Sequence, residues 1–352
     1  MVSLYLASVE AAGKTALCAG IGRKLLKDGK KVGFFKPVQF SEPDSVDAYE
    51  DIIFIKDALE LEESVEVLSP IRLSRQDLGQ SLTDKPQELT QKIRQASTLI
   101  AQGKDIVIME GLGQLGSDEV STQAFYSTAE AFDAKVIIIL RYSPDLSPKR
   151  IAAICEELKQ KLMGVIINFV PGSKIEAVRQ DMTPLFQEAG IKVLGILPED
   201  RSLLGVSVSE LAKALDGEIM THPENSGDVV ENIMLGAMTI DSGIDYFKRK
   251  INKAAVIRDE RADMQLAALE TSTKCLILTN NSRPLSVVVS QAEDKGVPIM
   301  VVKQNTSGAI AVIEEALART KFHNQRKLHR LEEILDEYLD FAALYSELGI
   351  KA

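Results

Sequence analysis

Leu4-Tyr5-Leu6-Ala7-Ser8-Val9-Glu10-Ala11-Ala12-Gly13-Lys14-Thr15 is an apolar run that meets a Gly-Lys-Thr triplet, and a helical pattern follows from Ala16 to Lys27. Strand, loop and helix in that order form a phosphate-binding device. Backbone N–H groups wrap around phosphate oxygens at a helix N-terminus, a lysine neutralises the outer phosphates, and a hydroxyl serves Mg²⁺. Gly13, Lys14 and Thr15 supply the second half of the device, and Glu10, Ala11, Ala12 and Ala16 extend the expected phosphate wall on either side. The first half is irregular: the usual spacing asks for a glycine five residues before Gly13, where this chain has Ser8 preceded by Ala7.

Outward from the loop, Asp28-Gly29 is a helix stop, and Lys31 to Phe35 reads as a second strand ending at Lys36-Pro37. Further apolar runs at Asp105 to Met109, Val136 to Leu140, Gly164 to Phe169 and Lys192 to Leu197 alternate with helical segments. This predicts an α/β fold with a doubly wound parallel sheet, whose ligand lies off the C-terminal strand ends. Gly, Pro, Asn, Ser and His cluster without periodicity at 216–228, which is read as a linker between a first domain over 1–215 and a smaller α/β domain over 229–320. Strands are expected there at Ala254 to Ile257, Cys275 to Leu278, Leu285 to Val289 and Pro298 to Val302, with a helix over Asp263 to Glu270 and an end near Arg319. Residues 321–352 carry Leu328, Leu331, Leu335, Tyr338 and Ala342 at helical spacing, an amphipathic helix expected to pack on its own domain or at a dimer contact.

Composition narrows the function classes. A net charge of -10 and the lack of long basic runs argue against a nucleic-acid partner. No stretch of 18 apolar residues predicts a membrane span, and the N-terminus lacks the pattern of a signal peptide. Cys18, Cys155 and Cys275 are odd in number and far apart, which fits buried small hydrophobes in a reducing, cytoplasmic setting.

Four strand-end positions carry candidate chemistry. Lys36 follows the second strand, Asp51 lies on the next segment, Glu110 follows Ile106-Val107-Ile108-Met109, and Asn168 ends Gly164-Val165-Ile166-Ile167. Thr15 with the carboxylates of Asp51 and Glu110 suits Mg²⁺, which prefers oxygen ligands. Lys14 and Lys36 are placed to flank a transferring phosphoryl group, where catalysis is positioning and charge neutralisation. Each also has a plainer reading: Asp51 as a solvated charge, Lys36 as a surface strand end, Asn168 as a strand terminator. Glu110 stands out because Gly111-Leu112-Gly113 after it permits close ligand approach.

Gly13-Lys14-Thr15, Lys36-Pro37-Val38, Glu110-Gly111 and Asn168 occur in the order and approximate spacing of the dethiobiotin synthetase family of P-loop proteins, a resemblance covering about residues 1–212. It implies ATP and Mg²⁺ as cofactors, with the loop and Lys36 on phosphates, Thr15, Asp51 and Glu110 on Mg²⁺, and Asn168 with the segment around Pro198 on adenine. On that family's longer loop the first glycine position is Ala7. The family phosphorylates a carbamate with ATP, related amidoligases activate carboxylates, and its sites form at a subunit interface, so a homodimer is expected.

The second half, through Glu231-Asn232-Ile233-Met234-Leu235-Gly236-Ala237-Met238 and Arg261-Ala262-Asp263-Met264-Gln265-Leu266-Ala267-Ala268-Leu269-Glu270, resembles the DRTGG domain. The pairing is similar to the N-terminal portion of long bacterial phosphate acetyltransferases. The residues end before an acetyltransferase domain, so acetyl transfer is not expected. Arg258-Asp259-Glu260 replaces the Gly-Gly-Asp turn of relatives, which puts any ligand role of that turn in question. Three functions stay open: a nucleotide-responsive regulatory protein, an ATP-dependent ligase acting through an acyl phosphate on a small-molecule substrate, and a degenerate structural module.

Overall fold

The computed structural model describes residues 1–40, 49–73, 86–111, 119–236, 243–281, 283–318, 322 and 324–350. The chain forms two compact units, Met1–Glu199 together with Gln325–Ala352, and Asp200–Asn324.

In the first unit the strands are β1 (Val2–Ser8), β2 (Val32–Phe35), β3 (Val38–Phe40), β4 (Ile71–Leu73), β5 (Ile106–Glu110), β6 (Lys135–Arg141), β7 (Leu162–Val170) and β8 (Val193–Pro198). Six of them make one sheet in the order β2-β5-β1-β6-β7-β8, and every pairing is parallel. Burial on both faces explains why β1, β5 and β6 read as near-continuous apolar runs rather than alternating ones. Helix α1 (Lys14–Lys27) follows β1, and α2 (Glu50–Ala58) follows β3. The short β3 and β4 pair with each other, also in parallel. The expected doubly wound parallel sheet is present, so the strand C-termini share one edge.

The C-terminal segment forms two helices, Gln325–Tyr338 and Phe341–Leu348, broken where Leu339 bridges to Gly195 and Asp340 caps the second helix through the Ala343 N–H. It returns to the first unit. Leu331 and Leu335 pack where Gly20 of α1 has no side chain: a Cβ there would lie 2.5 Å from Leu335 Cδ1. Glu332 accepts hydrogen bonds from Lys27 Nζ at 2.8 Å and Arg23 Nε at 3.3 Å.

The second unit contains β9 (Val206–Ser207), β10 (Glu218–Ile219), β11 (Val229–Val230), β12 (Asn232–Leu235), β13 (Lys253–Arg258), β14 (Thr273–Thr279) and β15 (Ile299–Val301). Its main sheet runs β10-β15-β14-β13-β12, parallel except for the edge strand β10. Ala255, Ile257, Leu276 and Leu278 pack with helices 262–269 and 286–295, and Ala254, Val256, Cys275 and Ile277 with helices 208–215 and 306–318.

Three expectations are corrected. Residues 200–215 lie in the second unit, because Val208, Leu211 and Leu215 belong to its core, and Ser207 with Glu210 forms a capping box at the helix that carries them. The stretch 216–228 is part of that unit rather than a linker, since β10 pairs with β15 and Thr221 Oγ1 bonds Val297 O and Ile299 N. Leu285 to Val289 is not a strand: Ser286–Lys295 is a helix that buries Val288 and Ala292, four residues apart, and leaves Val287 exposed. Tertiary burial of one helical stripe outweighs the β preference of its valines. Leu112, Gly113, Ala237, Met238 and Arg319 lie outside the described residues.

Candidate functional site

Gly13 caps α1 in the left-handed region at φ 83°, which lets the chain turn from the loop into the helix. A side chain there would be strained and would also press on Asn168, whose Nδ2 lies 3.1 Å from the Cβ position. Lys14 and Thr15 begin α1. Lys14 Nζ donates to Ser8 Oγ at 2.9 Å, so the lysine lies back over the end of β1. Thr15 Oγ1 donates to Glu110 Oε1 at 3.0 Å.

Because β5 lies next to β1, and β2 next to β5, the same edge brings Lys36 to Glu110. Lys36 Nζ is 2.9 Å from Glu110 Oε1 and 3.9 Å from Asp51 Oδ2 at the start of α2. Gly111 lets this strand end close tightly: its N–H bonds Leu6 O at 2.8 Å, and an added Cβ would meet that oxygen at 2.8 Å. Burial pushes Lys14 below the usual lysine range against the pull of Glu110. Burial acts the same way on Lys36, but Glu110 and Asp51 outweigh it and hold its ammonium above the ordinary value. Burial also raises the Cys18 thiol well above its usual range, and all three cysteines are buried and free.

Glu110 Oε2 is buried and has no hydrogen-bond partner among the described residues. An unmet buried carboxylate oxygen keeps its desolvation cost, which a cation or a cation-bound water removes. Thr15, Asp51 and Glu110 are thus an oxygen-donor set that fits Mg²⁺, an ion held by one or two carboxylates together with phosphates and waters. Among the described residues no cluster of three or more His, Cys, Asp and Glu converges on one point, so such an ion needs further ligands from phosphate and water.

The β6 and β7 side of the loop is built differently. Asn168 Nδ2 donates to Ala12 O at 3.0 Å, and Asn168 Oδ1 accepts the Phe169 N–H at 2.9 Å. Phe169 has φ 61°, uncommon for a residue with a large side chain. Arg141 lies over its ring at 4.4 Å and reaches Ala11 O at 3.4 Å. Ala12 is buried, Glu10 and Ala11 are exposed, and Ala16 is in the first turn of α1. Pro198 ends β8 at the same sheet edge, paired with Val170. Arg141 and Phe169 were not among the sequence candidates, although Arg141 directly follows the run Val136 to Leu140, where the strand-end rule points.

In the second unit the turn Arg258-Asp259-Glu260 stays at negative φ, and Gln265 Nε2 donates to Arg258 O and Asp259 O at 2.9 and 3.0 Å. A side chain has taken over the turn that glycines would otherwise ease.

A left-handed glycine, a lysine, a hydroxyl and a carboxylate at the C-terminal edge of a parallel sheet define a P-loop nucleotide-binding protein. Residues 3–207 match the AAA domain family and residues 210–316 the DRTGG domain. The chain belongs to that AAA-domain family, and a DRTGG domain follows. The phosphate acetyltransferase of Acinetobacter baylyi is 22% identical over 98% of this chain and 52% of its own length. The ATP-dependent dethiobiotin synthetase of Thermodesulfovibrio yellowstonii is 26% identical over 53% of this chain and 83% of its own. The CBS and DRTGG domains of the regulatory region of Clostridium perfringens pyrophosphatase, solved with diadenosine tetraphosphate, align at 17% identity and TM-score 0.30 over 51% of this chain and 73% of that one. The chain spans about half the length of the phosphate acetyltransferases it matches, and corresponds to their N-terminal region.

Proposed function

We propose that the first unit binds ATP with Mg²⁺ and that the chain works as a nucleotide-responsive regulatory protein, with the DRTGG domain as the part that responds. The observation that carries nucleotide binding is Glu110 Oε2 at the mouth of the loop beside Thr15 and Lys36, buried and without a hydrogen-bond partner among the described residues. In this reading the loop from Glu10 to Ala16 holds the phosphates, Lys14 and Lys36 neutralise their charge, and Thr15, Asp51 and Glu110 hold the ion. The adenine lies toward Asn168 and Pro198. The regulatory role is supported by the pairing of the AAA domain with a DRTGG domain in one chain. The protein is read as a cytoplasmic homodimer; among the described residues no helix is long and apolar enough to cross a membrane.

A second reading, an ATP-dependent ligase that activates a carbamate or carboxylate, is favoured by Lys36. Its ammonium is held charged at 2.9 Å from Glu110, where a transferring phosphoryl group needs it. Calorimetric titration with ATP and Mg²⁺, followed by phosphate-release assays over a panel of amines and carboxylates, separates the two. Binding without release supports regulation. Turnover that disappears in Lys36→Ala while binding is kept overturns it in favour of the ligase, and absence of any binding overturns both.

A further inference from the structure

Ala11 O and Ala12 O belong to two consecutive peptide groups of the loop. Both point to side chains from the ends of β6 and β7, at 3.4 Å from Arg141 and 3.0 Å from Asn168. A trans peptide is planar, with its C=O and N–H pointing in opposite directions. Holding the carbonyls of Ala11 and Ala12 therefore fixes the N–H groups of Ala12 and Gly13. In the strand order β5-β1-β6-β7, Asn168 and Arg141 stand on one side of the loop and Glu110 and Lys36 on the other. The two N–H groups are therefore turned away from the Arg141 and Asn168 side chains that their peptide carbonyls face.

We infer that Asn168 and Arg141 are positioning residues that orient the Ala12 and Gly13 amides for phosphate. In this account Asn168 acts on the loop, and the inference rests on the nucleotide-binding reading above. Phe169 is part of the clamp. Its N–H bonds Asn168 Oδ1, which fixes the amide so that Nδ2 faces Ala12, and its own backbone is left-handed at φ 61°. Its ring fills the space between Gly13 and the Arg141 guanidinium, with Cζ 3.7 Å from the Gly13 Cβ position. Strained backbone kept by a large residue at a ligand edge is a common mark of such positioning.

The test compares ATP with inorganic tripolyphosphate, each with Mg²⁺, by titration of the full chain. Tripolyphosphate has no base, so a base contact and a loop contact separate cleanly. Asn168→Ala should weaken both ligands by the same factor, about tenfold, with the melting temperature unmoved. Asn168→Asp keeps the size and the acceptor for Phe169 but cannot donate to Ala12 O, and should weaken both at least as much. Arg141→Met should weaken both about threefold, and Arg141→Lys should restore most of that loss. If Asn168→Ala weakens ATP and leaves tripolyphosphate unchanged, Asn168 reads the base and the inference is overturned. Wild-type binding with unaffected variants overturns the inference alone. A wild-type chain that binds neither ligand overturns the nucleotide reading with it.

Discussion

At the C-terminal edge of the first sheet, Lys36 and Glu110 meet at 2.9 Å with 12% and 5% of their side chains exposed. At the same edge of the second sheet, Arg258 and Glu260 meet at 3.1 Å with 56% and 53% exposed. The chemistry and the distance are alike, and the solvent differs. An exposed pair is screened and contributes little, whereas each member of a buried pair depends on the other. The first edge therefore concentrates charge where a ligand can use it, and the second returns its charge to water. Two lysines carry the same lesson. Lys36 faces carboxylates and is held above the usual range, while Lys253 is fully buried against the carbonyls of Lys250 and Ser272 and is pushed down to about 8.

The comparison is broken most directly by removing one carboxylate from each edge. Glu110→Ala leaves Lys36 buried with, among the described residues, the more distant Asp51 alone, and should cost about 3 kcal/mol of stability. Glu260→Ala should stay within about 0.5 kcal/mol. Urea unfolding of the two variants checks this, and similar losses would show that the burial difference has no energetic consequence.

A smaller effect distinguishes the lysines by pH. Between about 8 and the ordinary 10.5, the unfolded chain holds a proton at Lys253 that the folded chain has released, so this group's contribution to stability rises with pH across that window. Lys36, with its value raised, contributes fully below the ordinary 10.5 and loses that contribution only as pH climbs through its folded value above it. Denaturation curves at about pH 8 and about pH 10 should show the Lys253 gain in the wild type and its absence in Lys253→Met.

The smallest effect lies within the first edge. Ser8→Gly removes the hydroxyl that holds Lys14 Nζ at 2.9 Å, and should keep ATP affinity or raise it up to about threefold. A clear loss in the same titration would show that the loop depends on the Ser8 side chain or on its restricted backbone.

The loop, the parallel sheet and the strand-end residues Lys36, Glu110 and Asn168 were legible in the chain because each is local: an apolar run, then a polar residue where the run stops. Leu285 to Val289 reads as a strand in the sequence because three consecutive valines suit one, and only the buried stripe of Val288 and Ala292 makes it a helix. The 216–228 stretch reads as a linker because Thr221 finds its partners Val297 and Ile299 nearly eighty residues away. Arg141 and Phe169 are not legible for a related reason, since their link to Ala11 and Gly13 exists only across neighbouring strands.

The sequence alone determined that a strand enters a Gly13-Lys14-Thr15 helix start and that polar residues follow the apolar runs, because backbone propensity and hydrophobic period act over a few residues. Only the tertiary structure decided which of those residues meet. The order β2-β5-β1-β6-β7 places Lys36 and Glu110 on one side of the loop and Arg141 and Asn168 on the other. Strand order is set by the packing of both sheet faces, and sequence separation carries no record of it.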